Sequence, residues 1–383
     1  MTIQGTSTSG RVDSSSVVFR PVRFEDYPQI AALQKRNGLD TKPREEWEDL
    51  WKRNPEYRKF PQWPIGFVIE NSENTIVGYT AWIPLSYHFE GRELSSASGW
   101  GMAVDMPYRG HTPALMRRVV NPDTGEFLLD ASAKPNVARI LDKTLERRGI
   151  GGRIPAGDWD NAWFWITNYQ GFTASAITAR KFPSILSYPA AFAMWVRDQA
   201  RGGHSWAKDK HPELEVCSNF DERFDVFWEE LKRTYPNRLL ATRSREVLEW
   251  HFRYAMKAGK VWIVAIRDKG KIAAYSIFRR QDNRSLNLTR MRLIDFQSLN
   301  PNNRLVIPTL AWALGRCREE RIHMLEAYGF RADKQRVINS LSPLRRPLPA
   351  WCFFYVTFNA ELRQKLKNPD LWDPSHFDGD ESL

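Results

Sequence analysis

The residues best placed to do chemistry form one run near position 105. An apolar stretch, Gly101-Met102-Ala103-Val104, leads into Asp105-Met106-Pro107-Tyr108-Arg109-Gly110-His111-Thr112-Pro113-Ala114, and a helix carrying Leu115, Met116, Val119 and Val120 follows. Strand, short polar loop and helix start make an arrangement that binds phosphate. The first backbone N–H groups of a helix lack internal partners and carry the positive end of its dipole. Gly110 lets the backbone come close to a ligand. Arg109 adds a fixed positive charge, and Arg117 and Arg118 follow one turn on, in reach of outer phosphates. Groups that could take a proton are Asp105 and His111 at the ends of the loop, Asp130 at the end of the next strand, and Glu326 further on. A helix start disfavours the charged form of His111, which suits a base.

The elements that must hold this run recur. Phe24-Glu25-Asp26 opens a helical stretch and Phe220-Asp221-Glu222 opens another; Arg44 to Trp51 resembles Arg243 to Trp250. Two apolar runs around an Asn or Asp/Gly turn follow in each half, Gly66 to Ile83 and Val261 to Phe278, and both read as hairpins. Thr112-Pro113-Ala114-Leu115 matches Ile307-Pro308-Thr309-Leu310 as helix starts. Leu128-Leu129-Asp130-Ala131 matches Met324-Leu325-Glu326-Ala327 as short buried strands, and every offset lies between 195 and 199. The pattern predicts two copies of one α/β unit: helix, helix, hairpin, strand, helix, strand, helix, final strands. The expected organisation is a disordered tail at 1–16, a first domain at 17–200, a second at 201–367 and a solvated acidic tail at 368–383. Arg201-Gly202-Gly203-His204 is the linker candidate.

The run from Val104 to Ala114 resembles the acyl-CoA pyrophosphate loop of the GCN5-related N-acetyltransferase (GNAT) superfamily, whose pattern is Q/R-x-x-G-x-G/A after Val-x-Pro-x-Tyr/Phe-Arg-Gly. Val104, Pro107, Tyr108, Arg109, Gly110 and Ala114 fit it; Thr112 stands at the central glycine and Pro113 removes one donor N–H. The resemblance covers the first half, and the second half follows by repeat. It implies an α/β (α+β mixed sheet) fold of two tandem GNAT-like acyl-CoA N-acyltransferase domains, similar also to FemAB-like transferases. Arg245 to Phe252 and Trp351-Cys352-Phe353-Phe354-Tyr355 look most like proteins of polysaccharide-biosynthesis loci.

The resemblance implies direct transfer of an acyl group from acetyl-CoA, or another acyl-CoA, to an amine of a small molecule or amino sugar, with no metal. Met102, Ala103, Val104, Tyr108, Arg109, Gly110, His111, Thr112, Ala114 and Arg117 would bind the acyl-CoA. A backbone N–H between Met102 and Val104 would serve the developing oxyanion. One of Asp105, His111, Asp130 and Glu326 would act as base. The family's acid, a tyrosine on the following helix, is replaced here by Leu141. Asn300-Pro301-Asn302-Asn303-Arg304-Leu305 stands at the second phosphate loop without a glycine, so the second half is expected to have lost CoA binding.

Composition bounds these readings. The net charge of +11 suits an anionic ligand. Cys217, Cys317 and Cys352 are far apart, with neither metal nor disulfide spacing. The 16 Trp, 12 Tyr and 21 Phe point to a large aromatic core. The longest uncharged apolar stretch, Ser184 to Val196, is too short to span a bilayer, and a cytoplasmic location is expected. Two further readings stand beside the first: a FemAB-like transferase that takes an aminoacyl group from tRNA, and a non-catalytic binding protein on a degenerate GNAT fold.

Overall fold

Alternating β-branched and aromatic residues form hairpins, and the tryptophan-bearing stretches before them form helices, in the computed structural model of the chain. It describes residues 16–383 apart from 61, 121–124, 132, 134, 156–160, 209–210, 349–352 and 381. The expected N-terminal tail up to residue 15 and the Trp351-Cys352 pair lie outside the described residues.

The first half gives β1 (Val17–Pro21), α1 (Tyr27–Arg36), α2 (Arg44–Lys52), α3 (Pro55–Lys59), β2 (Gly66–Asn71), β3 (Ile76–Phe89), β4 (Arg92–Val104), a 3-10 turn (Met106–His111), α4 (Thr112–Val119), β5 (Phe127–Asp130), α5 (Pro135–Arg148), β6 (Gly151–Arg153), β7 (Asn161–Ile166), α6 (Tyr169–Ala179) and α7 (Ser187–Ala200). The second half repeats the order with β8 (Leu214–Cys217), α8 (Glu222–Thr234), β9 (Leu240–Ala241), α9 (Arg245–Lys257), β10 (Val261–Asp268), β11 (Lys271–Arg280), β12 (Arg290–Ser298), α10 (Val306–Glu319), β13 (Met324–Tyr328), α11 (Ala332–Asn339), β14 (Leu344–Pro347), β15 (Phe354–Val356) and α12 (Ala360–Lys365). Both halves are thus built of mixed α/β elements.

By spatial proximity the chain forms two units: Met1–Pro84 with Ala97–Gly125, and Leu85–Ser96 with Glu126–Leu383. In the first, β1 pairs antiparallel with β2, and β2 with β3. Asn71 closes that hairpin: its Oδ1 accepts from Thr75 N at 2.8 Å and Glu73 N at 3.1 Å. Trp47 and Trp51, one turn apart on α2, are buried. Their indole N–H groups donate to Tyr79 OH (3.2 Å) and Trp82 O (2.8 Å), fixing α2 against β3. Ile69, Val77, Val104, Tyr108 and Leu115 form the core beneath the phosphate-loop candidate.

The second unit holds a sheet in the order β14-β7-β13-β12-β11-β10-β8. Here β13 runs parallel to β12 and antiparallel to β7. In the same unit β15 lies between β5 and β6, antiparallel to both. The halves thus exchange a strand: β7, from the first half, joins β13 and β14, and β15, from the second, joins β5 and β6. Aromatic side chains fill the interior, among them Trp163, Trp165, Phe220, Phe224, Phe227 and Tyr275. Arg201–His204 form a turn after α7, where His204 Nδ1 accepts from Arg318 Nη2 at 2.8 Å.

The C-terminal segment corrects an expectation. Residues 368–383 do not form a solvated acidic tail: Trp372, Asp373, Ser375, His376, Phe377, Asp378 and Ser382 are all buried. The acidic side chains are tolerated inside because each has a polar or cationic partner. Lys334 Nζ reaches Asp373 at 2.8 Å, and Asp378 accepts from Ser375 N at 2.7 Å and Tyr87 OH at 2.9 Å.

Candidate active site

The loop from Val104 to Ala114 is built from the strand outward. Near the end of β4, Gly101 has φ +66°, and a Cβ there would lie 2.5 Å from Gln34 Nε2. Gln34 Nε2 donates to Gly101 O at 3.2 Å, so α1 grips the strand at this point. Only glycine takes this conformation without strain. Gly101→Ala is expected to lower stability by about 1–2 kcal/mol in urea unfolding, whereas Gly110→Ala should change it by less than about 0.5 kcal/mol. Equal costs for the two would contradict this assignment.

Asp105 follows, and its N–H donates to Val77 O at 2.9 Å. Its carboxylate is fully engaged. Arg36 Nε donates to both oxygens (2.9 and 3.0 Å), Arg36 Nη2 to Oδ2 (2.6 Å) and Asn37 Nδ2 to Oδ1 (2.9 Å). This clamp ties the end of α1 to the loop and corrects the expectation that Asp105 serves as base. Tyr108 is also reassigned: its ring is 4% exposed and packs in the core with Ile69, Val77 and Leu115. It anchors the turn instead of facing a ligand. Ala103 and Val104 are buried and Met102 half-buried.

Arg109 and Gly110, by contrast, are exposed. Arg109 Nε reaches back to Val104 O at 3.4 Å. A Cβ on Gly110 would meet nothing within 4 Å, so the surrounding chain does not require glycine there and open space lies beside it. His111 is half-buried at the N-cap of α4, edge-on to Phe19 at 6.2 Å between ring centres, and no side chain caps that helix. Thr112 and Ala114 are half-buried at the helix start. Arg117 is exposed one turn on, and Arg118 lies over the Phe19 ring at 4.3 Å. The Thr112 N–H is already bonded to Arg109 O and Pro113 has none, so what this turn offers an anion is the exposed Arg109 guanidinium beside open space at Gly110.

No protein-family model and no curated protein sequence matches the chain. Solved structures do resemble it. N-myristoyltransferase from Saccharomyces cerevisiae with bound myristoyl-CoA is similar over 90% of this chain and 80% of that one, with a TM-score of 0.54 at 13% identity. A probable N-acyltransferase from Enterococcus faecalis covers 90% of this chain and 73% of its own, with a TM-score of 0.54 at 10% identity. A GCN5-related N-acetyltransferase from Anabaena variabilis matches over the same shares, with a TM-score of 0.50 at 12% identity. The fold is GNAT-like.

Within this GNAT-like fold the second loop differs in chemistry from the first. Its amides are taken by its own side chains: Asn300 N donates to Ser298 Oγ (3.0 Å), Asn302 N to Asn300 Oδ1 (3.1 Å) and Arg304 N to Asn302 Oδ1 (2.9 Å). Glu326 is buried on β13 and ion-paired with Arg292 at 2.8 Å and with Arg346, with Arg290 at 3.9 Å. Burial alone would raise its carboxyl; Arg292 and Arg346 outweigh that and hold it below the ordinary range. That corrects Glu326 as a base, because so stabilised a carboxylate is a poor proton acceptor. Asp130 ends β5, half-buried opposite Phe354. Burial pushes the Cys217 thiol up to about 11, so it is not a thiolate nucleophile.

Sequence reasoning missed a buried polar cluster in the second unit. Arg243 binds Asp295 through Nε (2.8 Å) and Nη2 (3.1 Å), Ser375 Oγ donates to Asp295 at 2.9 Å, and Tyr275 OH does so at 3.1 Å. His376 Nε2 meets Tyr328 OH, and His251 Nε2 meets Ser382 Oγ at 2.7 Å. Burial, aided by nearby arginines, lowers His376 well below its ordinary value; burial raises Asp378 to about 6 despite Arg243. The signal available was Arg243 at the start of the Arg243 to Trp250 match, but nothing local pairs it with residues 295 and 375.

Proposed function

We propose that the protein is an acyl-CoA-dependent N-acyltransferase that moves an acyl group, acetyl in the simplest case, to an amine of a small molecule or amino sugar. One observation carries the reading: Arg109 and Gly110 stand exposed immediately before the start of α4. The GNAT-like fold and the N-acyltransferases among its structural neighbours support it. When bound, acyl-CoA supplies the activated thioester. The Arg109 guanidinium holds its diphosphate, and Arg117 reaches outer phosphates. Backbone N–H groups of Met102 to Val104 orient the acyl carbonyl and stabilise charge on its oxygen. Asp105 and Glu326 are held by arginines, and His111 or Asp130 would accept the amine proton. The loop after β12 has spent its amides on its own asparagines, so the second half serves structure or acceptor binding.

Titration of CoA, acetyl-CoA and myristoyl-CoA by calorimetry tests this. Ligand at about 100 times its Kd should stabilise the wild type by about 2.7 kcal/mol. Arg109→Ala should weaken binding by roughly tenfold, and Gly110→Pro should abolish it without unfolding the protein. Absence of binding at millimolar ligand overturns the reading. Salt-sensitive tRNA binding in that case would favour the aminoacyl-transfer alternative.

A further inference from the structure

Helix α7 is amphipathic in the reverse sense. Its inward positions are small: Ser187 and Ala191 are buried. Its outward stripe is bulky and apolar: Tyr188 is 68% exposed, Phe192 66%, Trp195 45% and Val196 43%. These residues lie at i, i+4, i+7 and i+8, one face of a helix. The turn before it adds Phe182, Ile185 and Leu186, all exposed. A soluble surface scatters such residues singly; a run of seven on one short segment marks a binding surface.

The segment is held, not trailing. Thr173 Oγ1 donates to Ser187 O (3.0 Å), Gln170 Nε2 to Ser187 Oγ (3.0 Å) and Tyr169 OH to Asp198 Oδ2 (3.0 Å), pinning α7 to α6. Phe182 N donates to Ile177 O at 3.2 Å, which closes the turn that projects Phe182. Phe192 and Trp195 stack at 5.9 Å.

Charge decides the occupant. Arg180 and Lys181 precede the apolar run, and Arg197 and Arg201 follow it. The sole acid between Arg180 and Arg201 is Asp198, already bonded to Tyr169 and Arg197. A second copy of this +11 chain would bring the cationic flanks together, whereas an anionic surface complements them. Tyr and Trp in the apolar stripe suit the boundary between headgroups and acyl chains. We propose that residues Arg180 to Arg201 form an interfacial anchor that lays α7 in the headgroup layer of an anionic lipid bilayer. The run is too short to span, so the helix lies in the plane. This inference does not depend on the acyl-transfer reading.

Cosedimentation of the full chain with vesicles tests it, using phosphatidylcholine alone and phosphatidylcholine mixed with phosphatidylglycerol. The wild type is expected to pellet with the mixed vesicles and to be released by high salt. Phe192→Glu/Trp195→Glu should remove binding to both. Arg180→Gln/Lys181→Gln should weaken binding to the mixed vesicles roughly 30-fold and leave the neutral ones unaffected. Both changes lie on exposed positions, and unchanged thermal unfolding verifies the fold. Wild type that stays in the supernatant overturns the proposal, as does apolar-face variant binding equal to wild type. A vesicle-independent dimer that Phe192→Glu/Trp195→Glu dissolves would also overturn it, assigning the face to a second copy.

Discussion

Arg243→Ala is expected to destabilise the protein by roughly 3–5 kcal/mol. The guanidinium is 1% exposed and Asp295 is 0% exposed. Nε and Nη2 bind Asp295, Nη1 donates to Ala241 O at 2.8 Å, and Asp378 lies 3.9 Å from Nη2. Alanine would leave two buried carboxylates facing each other without a cation. Urea unfolding followed by circular dichroism reads the loss. Adding Asp295→Asn should restore part of it, with a coupling of about 0.5–3 kcal/mol between the two sites. A single variant within about 1 kcal/mol of wild type, or strict additivity in the double, would contradict a buried ion pair here.

His376→Gln should flatten the acid side of the stability curve. Burial first, then Arg292, Arg279 and Arg290, keep the folded imidazole well below 6.5. Below pH 6.5 the unfolded chain therefore binds a proton that the folded chain refuses, and stability falls as pH drops. Between pH 7 and pH 5 the wild type should lose about 2 kcal/mol through this residue. Glutamine can still meet Tyr328 OH but cannot titrate. Asp378 acts in the opposite sense, since its raised carboxyl favours the protonated folded form, but it is present in both proteins and cancels in the difference. Thermal unfolding across this range checks the slope; parallel curves for the two proteins would show His376 to be charged when folded.

The element order was legible because it rests on local signals: tryptophan-bearing helical stretches, β-branched runs around Asn71–Asn74 and Asp268–Gly270, and prolines at helix starts. The phosphate-loop candidate rests on equally local residues, and within it Arg109 and Gly110 are exposed. Tyr108 shows the limit, since a tyrosine in a loop motif serves equally as core anchor or ligand contact until its neighbours are known. Asp105 fits either role until Arg36, far away in sequence, occupies it. The burial of Asp373, His376 and Asp378 was illegible because composition near a chain end records hydrophilicity, not the partners Lys334, Tyr328 and Tyr87 that neutralise it.

The traded strands also set a schedule. β5 and β6 are completed by Phe354–Val356, which leaves the ribosome more than 200 residues after Asp130. At about 5–20 residues per second that is a wait of roughly 10–40 s. During it the edges of β5 and β6 stand unpaired, and the first half cannot finish ahead of the second. The two halves of the chain are thus obligate partners in synthesis, and a nascent chain stalled between them would expose strand edges that invite wrong pairing.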